Sequence, residues 1–180
     1  MFYMEKKWTI RKAKRSDAQG IFLVIFVGWL DSYVNEAIGV TREFILSKKL
    51  FQLEYGFYRD KLKYEFLDNS EDNIHYVAED SNGVILGHLH ANRDGENGQV
   101  LQGLYVYKEL HGTGLAQELA KRFDEWEDKG QDSSVHVVEY NARAIRFYEK
   151  LGFVDTNKRD VVSEKIPCAY MVKKNVKEEK

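Results

Sequence analysis

The feature that most constrains the fold is a glycine-rich loop between a strand pattern and a helix pattern. The apolar segment Leu104–Val106 is typical of a strand, and apolar residues recur at helical spacing from Leu115 onward. The loop that precedes the helix runs His111-Gly112-Thr113-Gly114. Glycines let a ligand approach the backbone, and the first N–H groups of a helix have no partner within it. On its own the pattern is a weak signal for a phosphate site, and an ordinary connecting loop is the commoner explanation.

The loop differs from two common phosphate-binding motifs. A P-loop closes with Gly-Lys-Ser/Thr, whereas Gly114 is followed by Leu115. A dinucleotide fingerprint requires a third small residue at a fixed offset, and this chain does not have it there. The ligand of the loop must therefore be inferred from residues further along the chain.

Length and composition indicate one globular domain. The chain has 180 residues, of which 43% are hydrophobic and 31% charged. We expect a single domain over residues 1–173 and a charged tail over residues 174–180. The net charge of -2 gives no electrostatic reason to expect a nucleic-acid partner. A lone cysteine, Cys168, excludes an internal disulfide and is expected to be an apolar packing residue, which suits a reducing, cytoplasmic location.

An apolar run over Ile21–Leu30 follows a basic stretch, as it does in a signal peptide. However, no small-x-small cleavage site follows, and the run is shorter than the roughly 20 apolar residues that span a bilayer. We therefore predict a buried helix and no membrane partner. Ser16 or Asp17 is expected to cap this helix, and Trp8–Arg11 to form a strand before it.

The centre of the chain changes from a helical to a strand pattern. Thr41 is predicted to cap a second helical region that runs to about Leu67. Three strand patterns follow, the first two joined by an Asn-Gly turn, and they predict an antiparallel meander. These strands are predicted over Ile74–Glu79, Val84–Asn92 and Gln99–Val106.

The last third of the chain alternates between helix and strand. Apolar residues at helical spacing predict a helix over Gly114–Lys129, and a strand is predicted over Val135–Val138. Asn141 is expected to cap the next helix and Gly152 to end it. The closing strands are predicted at Phe153-Val154 and Ala169–Val172.

A second motif lies about thirty residues beyond the glycine loop. Asn141, Ile145 and Tyr148 fall at i, i+4 and i+7, so they share one helix face over about 10 Å. Such a polar, apolar and phenolic stripe can line a binding site. The alternative is that Asn141 is only a cap and Tyr148 a core aromatic residue.

Together the two motifs resemble those of the GNAT superfamily of N-acetyltransferases. The family's loop pattern, Gln/Arg-x-x-Gly-x-Gly/Ala, corresponds to His111–Ala116, and its Asn-x-x-Ala-x-x-Phe-Tyr-x-x-x-Gly-Phe pattern to Asn141–Phe153. The opening Thr9–Ala13 also resembles the family's first strand. His111 departs from the pattern, because Gln or Arg is usual there. Phosphate binding through the backbone survives this change, but a permanently charged guanidinium is missing and affinity could depend on pH.

The resemblance implies an α/β (α+β) GNAT fold. In that fold a mixed sheet of six or seven strands, with an antiparallel meander and a splayed parallel pair, is flanked by helices on both faces. Acetyl-CoA lies in the V-shaped split, here between Leu101–Val106 and Val135–Val138. By resemblance, the residues that bind this donor are Leu104, Tyr105, Val106, His111, Gly112, Thr113, Gly114, Leu115, Ala116, Asn141 and Arg143.

The resemblance also implies direct acetyl transfer in a ternary complex. Tyr148 would be the general acid that protonates the departing thiolate, because a phenol is a donor at neutral pH. The base remains open between Glu139, Glu36 and a relayed water, and Glu139 is better explained as a solvated residue at a strand end. Trp29 and Tyr33 with Glu36 would suit a cationic amine, with core packing of both rings as the alternative.

His88 and His90 lie two residues apart on a predicted strand, so both point to one face. No third ligand lies at a useful spacing, and we expect solvated or substrate-facing imidazoles and no metal site.

The predicted activity is transfer of acetyl from acetyl-CoA to a primary amine. The acceptor class stays open between a small amine, a polyamine and a peptide or protein N-terminus. The alternatives are a catalytically silent acyl-CoA-binding module of the same fold and transfer of a longer acyl group. A homodimer is common in the family, but no sequence feature demonstrates one here.

Overall fold

The computed structural model describes residues 7–48, 69–94 and 98–175. These residues form a seven-stranded sheet in the order β1-β2-β3-β4-β5-β7-β6, together with four α-helices. The strands are β1 Thr9–Lys12, β2 Asn73–Glu79, β3 Ile85–Asp94, β4 Gly98–Val106, β5 Ser133–Val138, β6 Val154–Val162 and β7 Ile166–Lys173. The helices are α1 Ala18–Ser32, α2 Arg42–Leu46, α3 Leu115–Trp126 and α4 Ala142–Lys150. The predicted fold class is confirmed.

The N-terminal helix is positioned by a buried ion pair. Both carboxylate oxygens of Asp17 accept hydrogen bonds from the Arg11 guanidinium, at 2.6 and 2.9 Å, and Oδ2 also accepts from the backbone N–H of Lys14 at 2.8 Å. The prediction that the Asp17 side chain caps α1 is therefore wrong, because this carboxylate binds Arg11 and the turn before the helix. Thr41 does cap α2, accepting from the N–H of Phe44 at 3.1 Å. The predicted extension to Leu67 falls largely outside the described residues.

Strands β1 to β4 form the predicted antiparallel meander. Gly83, with φ of 82°, lies in the predicted turn between β2 and β3. The closing hairpin of β6 and β7 is longer than predicted, because β6 extends through the charged segment after Val154. An edge strand exposed along most of its length lacks the apolar alternation that sequence reasoning relies on.

The parallel strands β4 and β5 are paired at only one end. Two residue pairs are in register, Gln99 with Ser133 and Val100 with Ser134. Beyond Val100 the strands diverge, and the side of β4 that faces β5 keeps unpaired backbone groups. This is the split that the family resemblance implies.

Two apolar cores lie on opposite faces of the sheet. Helices α1 and α2 pack on one face against Val77, Ile85 and Val138, among others. Helices α3 and α4 pack on the other face, where Leu119 and Phe123 contact residues such as Leu89. Among the described helices, none combines the length and apolar character that crossing a membrane requires.

Candidate active site

A cavity of about 300 Å³ opens where β4 and β5 diverge. Its lining comes from both faces of the sheet: α1 contributes Gly28, Ser32 and the adjoining Tyr33, whereas α3 and α4 contribute residues such as Ala116 and Tyr148. The cavity therefore passes through the sheet at the split. It brings together these residues of the predicted site: Tyr33, Leu104, Tyr105, Val106, His111, Gly112, Ala116, Asn141, Arg143 and Tyr148.

His111 and Gly112 of the glycine loop line one end of this cavity, whereas the predicted residues Gly114 and Leu115 lie outside its lining. Gly112 and Gly114 have φ angles of 80° and 94°, and a Cβ at either position would meet no atom within 4 Å. Their backbone N–H groups make no hydrogen bond to the described residues, and α3 starts immediately afterwards. The loop thus presents free donors and a helix N-terminus across open space, as a phosphate site requires. Thr113, whose hydroxyl donates to Leu110 O at 2.7 Å, is not among the lining residues.

His111 lies in the loop with Arg143 close by. Burial lowers the pKa of its imidazole, and the charge of Arg143 lowers it further, while a hydrogen bond with the backbone of Val106 acts in the opposite direction. His111 is therefore neutral at pH 7 in this environment. It contributes a hydrogen-bonding ring rather than a permanent positive charge.

The permanent positive charge comes from α4. Arg143, Arg146 and Lys150 all line the cavity, and their i, i+3, i+7 spacing places them on one helix face. Asn141 starts this helix as predicted, its Oδ1 accepting from the N–H of Ala144 at 3.1 Å. None of the described lining residues is an aspartate or glutamate. The cavity is thus suited to an anionic ligand.

Tyr148 lies on the α3/α4 side of the split and lines the cavity, although its side chain is largely buried. Its ring makes edge contacts with Phe147 and Phe153. Burial raises the pKa of the phenol, with Tyr105 adding a smaller effect in the same direction. The hydroxyl therefore keeps its proton at neutral pH and can donate a hydrogen bond to an anion that forms beside it.

On the α1 side, Tyr105 forms the centre of an aromatic cluster. Its hydroxyl accepts from Trp29 Nε1 at 3.1 Å and lies 3.2 Å from the Tyr33 hydroxyl. A Cβ on Gly28 or Gly103 would lie 2.7 Å from its ring, so these glycines make room for it. Trp29 packs against Tyr33 with ring centroids 4.6 Å apart, but only Tyr33 reaches the cavity lining.

The two carboxylates named as candidate bases lie outside this lining. Glu139 has an exposed side chain, and its Oε1 is 3.4 Å from Arg159 Nε. Glu36 is exposed in a 3-10 turn after α1. The structure therefore does not bring either carboxylate to Tyr148. Cys168 is buried as predicted, and burial raises the pKa of its thiol to about 11.

The expectation of solvated or substrate-facing imidazoles at His88 and His90 is wrong for His88. His88 is buried, with Nε2 3.1 Å from Nδ1 of His75, and burial lowers its pKa well below the ordinary value. His90 stacks on His75 with ring centroids 4.0 Å apart. The described residues contain no group of three or more ligand side chains arranged for a metal ion.

Sequence reasoning missed three titratable residues of the cavity: His136, Arg146 and Lys150. The two cations could have been found from their helical spacing to Arg143. His136 stands between Val135 and Val137 in a strand, and the period of two indicates that it points away from their core.

The family models support this reading of the site. Residues 71–155 match the acetyltransferase (GNAT) domain. This segment, which runs from β2 to the start of β6 and carries the split, the glycine loop and Tyr148, is similar to the acetyl-CoA-dependent acetyltransferases of the GNAT superfamily. No match to a curated protein was found.

Solved structures share the fold. The PaiA N-acetyltransferase of Thermoplasma acidophilum, in complex with coenzyme A, is 21% identical over 94% of this chain and 99% of its own, with a TM-score of 0.73. A histone acetyltransferase HPA2 and related acetyltransferase of Corynebacterium glutamicum is 17% identical over 96% and 98%, with a TM-score of 0.68. A GNAT-family acetyltransferase of Staphylococcus aureus Mu50 is 14% identical over 92% and 98%, with a TM-score of 0.67.

Proposed function

We propose that this protein is an N-acetyltransferase that transfers the acetyl group of acetyl-CoA to a primary amine. The acceptor is a small amine, a polyamine or a peptide N-terminus. The observation that carries the proposal is the cavity through the sheet, which joins a phosphate-type loop at one end to a buried phenol at the split. The enzyme would act as a single domain over residues 1–173 in the cytoplasm, alone or as a homodimer.

The residues present fit coenzyme A. The free N–H groups of Gly112 and Gly114 would bind the pyrophosphate, and Thr113, Leu115 and Ala116 would hold the loop and helix start that orient them. Arg143 on α4, with the newly identified Arg146 and Lys150, would balance phosphate charge. PaiA N-acetyltransferase, which shares the fold, was solved with coenzyme A, and this adds support for the same ligand here.

The unpaired edge of β4 would hold the pantetheine arm. Backbone groups at Leu104, Tyr105 and Val106 lie where β4 has no register with β5, and Asn141 lies across the split. A backbone N–H directed at the thioester oxygen would stabilise the charge that develops there, which is worth about 3 kcal/mol for one such donor in other enzymes. The split therefore supplies both binding and catalysis.

Tyr148 would protonate the departing thiolate. Its raised pKa keeps the phenol protonated at neutral pH, so it would hydrogen-bond the developing thiolate and transfer the proton as the sulfur leaves. Because Tyr148 lines the cavity on a helix whose start is capped by Asn141, the donor would be positioned before the substrate binds. Tyr33 and Trp29 would form the acceptor side of the site, and Glu36 would contribute only charge at its entrance.

The proposal is tested by incubating the protein with acetyl-CoA and a panel of amines, polyamines and short peptides. Free CoA is measured with a thiol reagent, and the acetylated product by mass spectrometry. Formation of an N-acetyl product from at least one amine is expected. Tight acetyl-CoA binding without any product across the panel would instead favour the silent acyl-CoA-binding module.

A further inference from the structure

One titratable side chain of the cavity has no role in the account above. His136 lies in β5 at the split, and its side chain is 39% exposed. Its strand neighbours Val135 and Val137 are buried in the α3/α4 core, so the imidazole lies on the opposite, α1 face of the sheet. That is the face on which Tyr33 and Tyr105 line the cavity.

The imidazole is held between two residues of neighbouring strands. Its Nε2 lies 3.7 Å from Asp160 Oδ2 on β6, and its ring lies 5.0 Å from the ring of Tyr170, its register partner on β7. The other carboxylate oxygen, Oδ1, accepts from the N–H of Val161 at 2.8 Å. The carboxylate is therefore fixed with one oxygen towards the imidazole. The 3.7 Å separation is an ion-pair contact, longer than a hydrogen bond, and Nε2 is the ring nitrogen nearest to the carboxylate.

Other described groups are less suited to accept a proton in the cavity. Glu139 is paired with Arg159 outside the lining, and Glu36 also lies outside it. His111, the other histidine of the lining, is hydrogen-bonded to Val106 and stands beside the cation Arg143. Nδ1 of His136 makes no hydrogen bond to a described residue.

We propose that His136 is the general base that deprotonates the acceptor amine, and that Asp160 is the residue that positions it. This inference rests on the proposed N-acetyltransferase activity. An acceptor that enters from the α1 side would bring its ammonium group to the imidazole before reaching the thioester. Asp160 stabilises the imidazolium that results, as carboxylates do for histidine bases elsewhere.

The proton balance closes without a further reactant. His136 Nδ1 takes one proton from R–NH3⁺, which leaves a neutral amine. The amine lone pair forms a C–N bond to the acetyl carbon, the C–S bond breaks, and sulfur leaves with the electron pair. Tyr148 donates a proton to that sulfur and regains one from the new amide nitrogen. The products are R–NH–CO–CH3 and HS-CoA, and His136 releases its proton to solvent.

Several charged groups face this histidine. Asp160 on β6 is the nearest, and Lys158 on the same strand holds its ammonium 4.9 Å from the centroid of the Tyr170 ring. From α4, Arg143 and Arg146 line the same cavity. Asp160 is thus the anion that pairs with the imidazole, and the two arginines line the same cavity.

The test compares His136→Gln and Asp160→Asn with wild type and with Asp155→Asn. Asp155 is the matched control, because it lies on the same strand but binds Arg159. We expect His136→Gln to lower kcat/KM for the amine about 100-fold or more, as the loss of a general base does. Asp160→Asn should lower it less, and Asp155→Asn should leave it unchanged.

Two readouts separate a base from a structural residue. In wild type, kcat/KM should fall on the acid side of its pH profile, because a protonated His136 cannot accept a proton from the amine. His136→Gln should lose this acid limb, and added imidazole should restore activity to His136→Gly. Acetyl-CoA affinity should stay within about threefold in every variant, which is under 1 kcal/mol.

If His136→Gln kept the acid limb of wild type, or lost less than about fivefold in kcat/KM for the amine, the base assignment would be overturned while the proposed function stands. If His136→Gln does not fold, the same comparison of acid limbs is made on Asp160→Asn, where an unshifted limb overturns the assignment. A wild-type protein that acetylates no amine would overturn the proposed function itself. The two failures are thus distinguishable from the wild-type assay alone.

Discussion

The two ends of the β4–β5 pair use their polar groups in opposite ways. At the closed end Gln99 is fully buried, and its amide donates to Asp128 O at 2.8 Å and Gln131 O at 3.1 Å while accepting from Asp128 N. At the open end the backbone of β4 has no partner strand, and the cavity forms there. Where the strands are paired, polar groups of the protein hydrogen-bond to one another. Where the strands diverge, the backbone groups of β4 remain available to a ligand.

A charge cluster reinforces the closed end. Ser133 Oγ donates to Glu127 Oε2 at 2.7 Å, and the other oxygen of this buried carboxylate pairs with Lys129 and Lys173. At the open end the cations Arg143, Arg146 and Lys150 face a cavity without a carboxylate among its described lining. The closed end is therefore held together by its own polar and charged groups. The open end keeps positive charge that no carboxylate of the described lining balances, and this charge can bind an anion.

The largest effect is expected from Tyr148→Phe at the open end. Removing the proton donor should lower kcat about 100- to 1,000-fold, because general acids contribute within this range. The ring and its contacts with Phe147 and Phe153 remain, so acetyl-CoA affinity should be retained. The rate of CoA release at saturating acetyl-CoA and amine measures the change in kcat. Unchanged turnover would remove Tyr148 from the acid role.

The closed end is tested by Gln99→Leu. This change leaves the N–H of Asp128 and two carbonyls without their amide partner, which should cost about 2–4 kcal/mol of unfolding free energy. Gln102→Leu is the matched control on the same strand, because Gln102 is exposed and bonded only to Asn92 among described side chains. Chemical denaturation compares the two variants. If Gln99→Leu and Gln102→Leu lost the same unfolding free energy, the hydrogen bonds of Gln99 would not stabilise the closed end.

A smaller effect is expected from Gly114→Ala. A non-glycine residue at a φ of 94° costs about 1–2 kcal/mol, and relief of that strain would turn the loop N–H groups away from the phosphate. Acetyl-CoA affinity should fall about tenfold, which corresponds to 1.4 kcal/mol. Gly130→Ala in the α3–β5 connection is the control and should leave affinity unchanged. Calorimetric titration measures both, and equal affinities in the two variants would argue against a phosphate role for the loop.

The smallest effect concerns His111 and pH. Its pKa is lowered in the free protein, so protonation occurs only below the ordinary value of 6.5, and the added positive charge then favours an anion. Acetyl-CoA affinity should therefore rise about threefold as pH falls from 7.5 to 5.5. His111→Gln should remove that part of the change and keep the part due to the ligand's own phosphates. If the affinity for acetyl-CoA changed with pH to the same extent in wild type and in His111→Gln, a role for His111 in this pH dependence would be excluded.

Local signals in the sequence predicted much of the fold and part of the site. The cap residues Thr41 and Asn141 and the loop glycines act within a few residues, so their patterns are visible in the chain. The α3/α4 core follows from helical spacing, and the family resemblance supplied the split and Tyr148. These elements agree because local preference and tertiary packing favour the same structure.

Long-range pairing explains what the sequence did not reveal. His136 and Asp160 meet across β7, and His75 and His88 meet across a hairpin, so neither pair has a local signature. The Asp17 carboxylate could bind either the N–H groups at the start of α1 or the guanidinium of Arg11. It binds Arg11, because β1 places that cation beside it and hydrogen bonds between charged groups are stronger. Strand β6 was missed beyond Val154 because an exposed edge strand needs no apolar face.

Hydrogen exchange with and without acetyl-CoA tests the contrast between the two ends most directly. The account predicts slower exchange on binding in residues 104–116 and 135–148, where the loop, the β4 edge and Tyr148 meet the ligand. It predicts no change in residues 127–134, whose groups are already bonded to one another. Protection confined to the closed end, or no protection anywhere at saturating acetyl-CoA, would contradict the placement of the donor in the split.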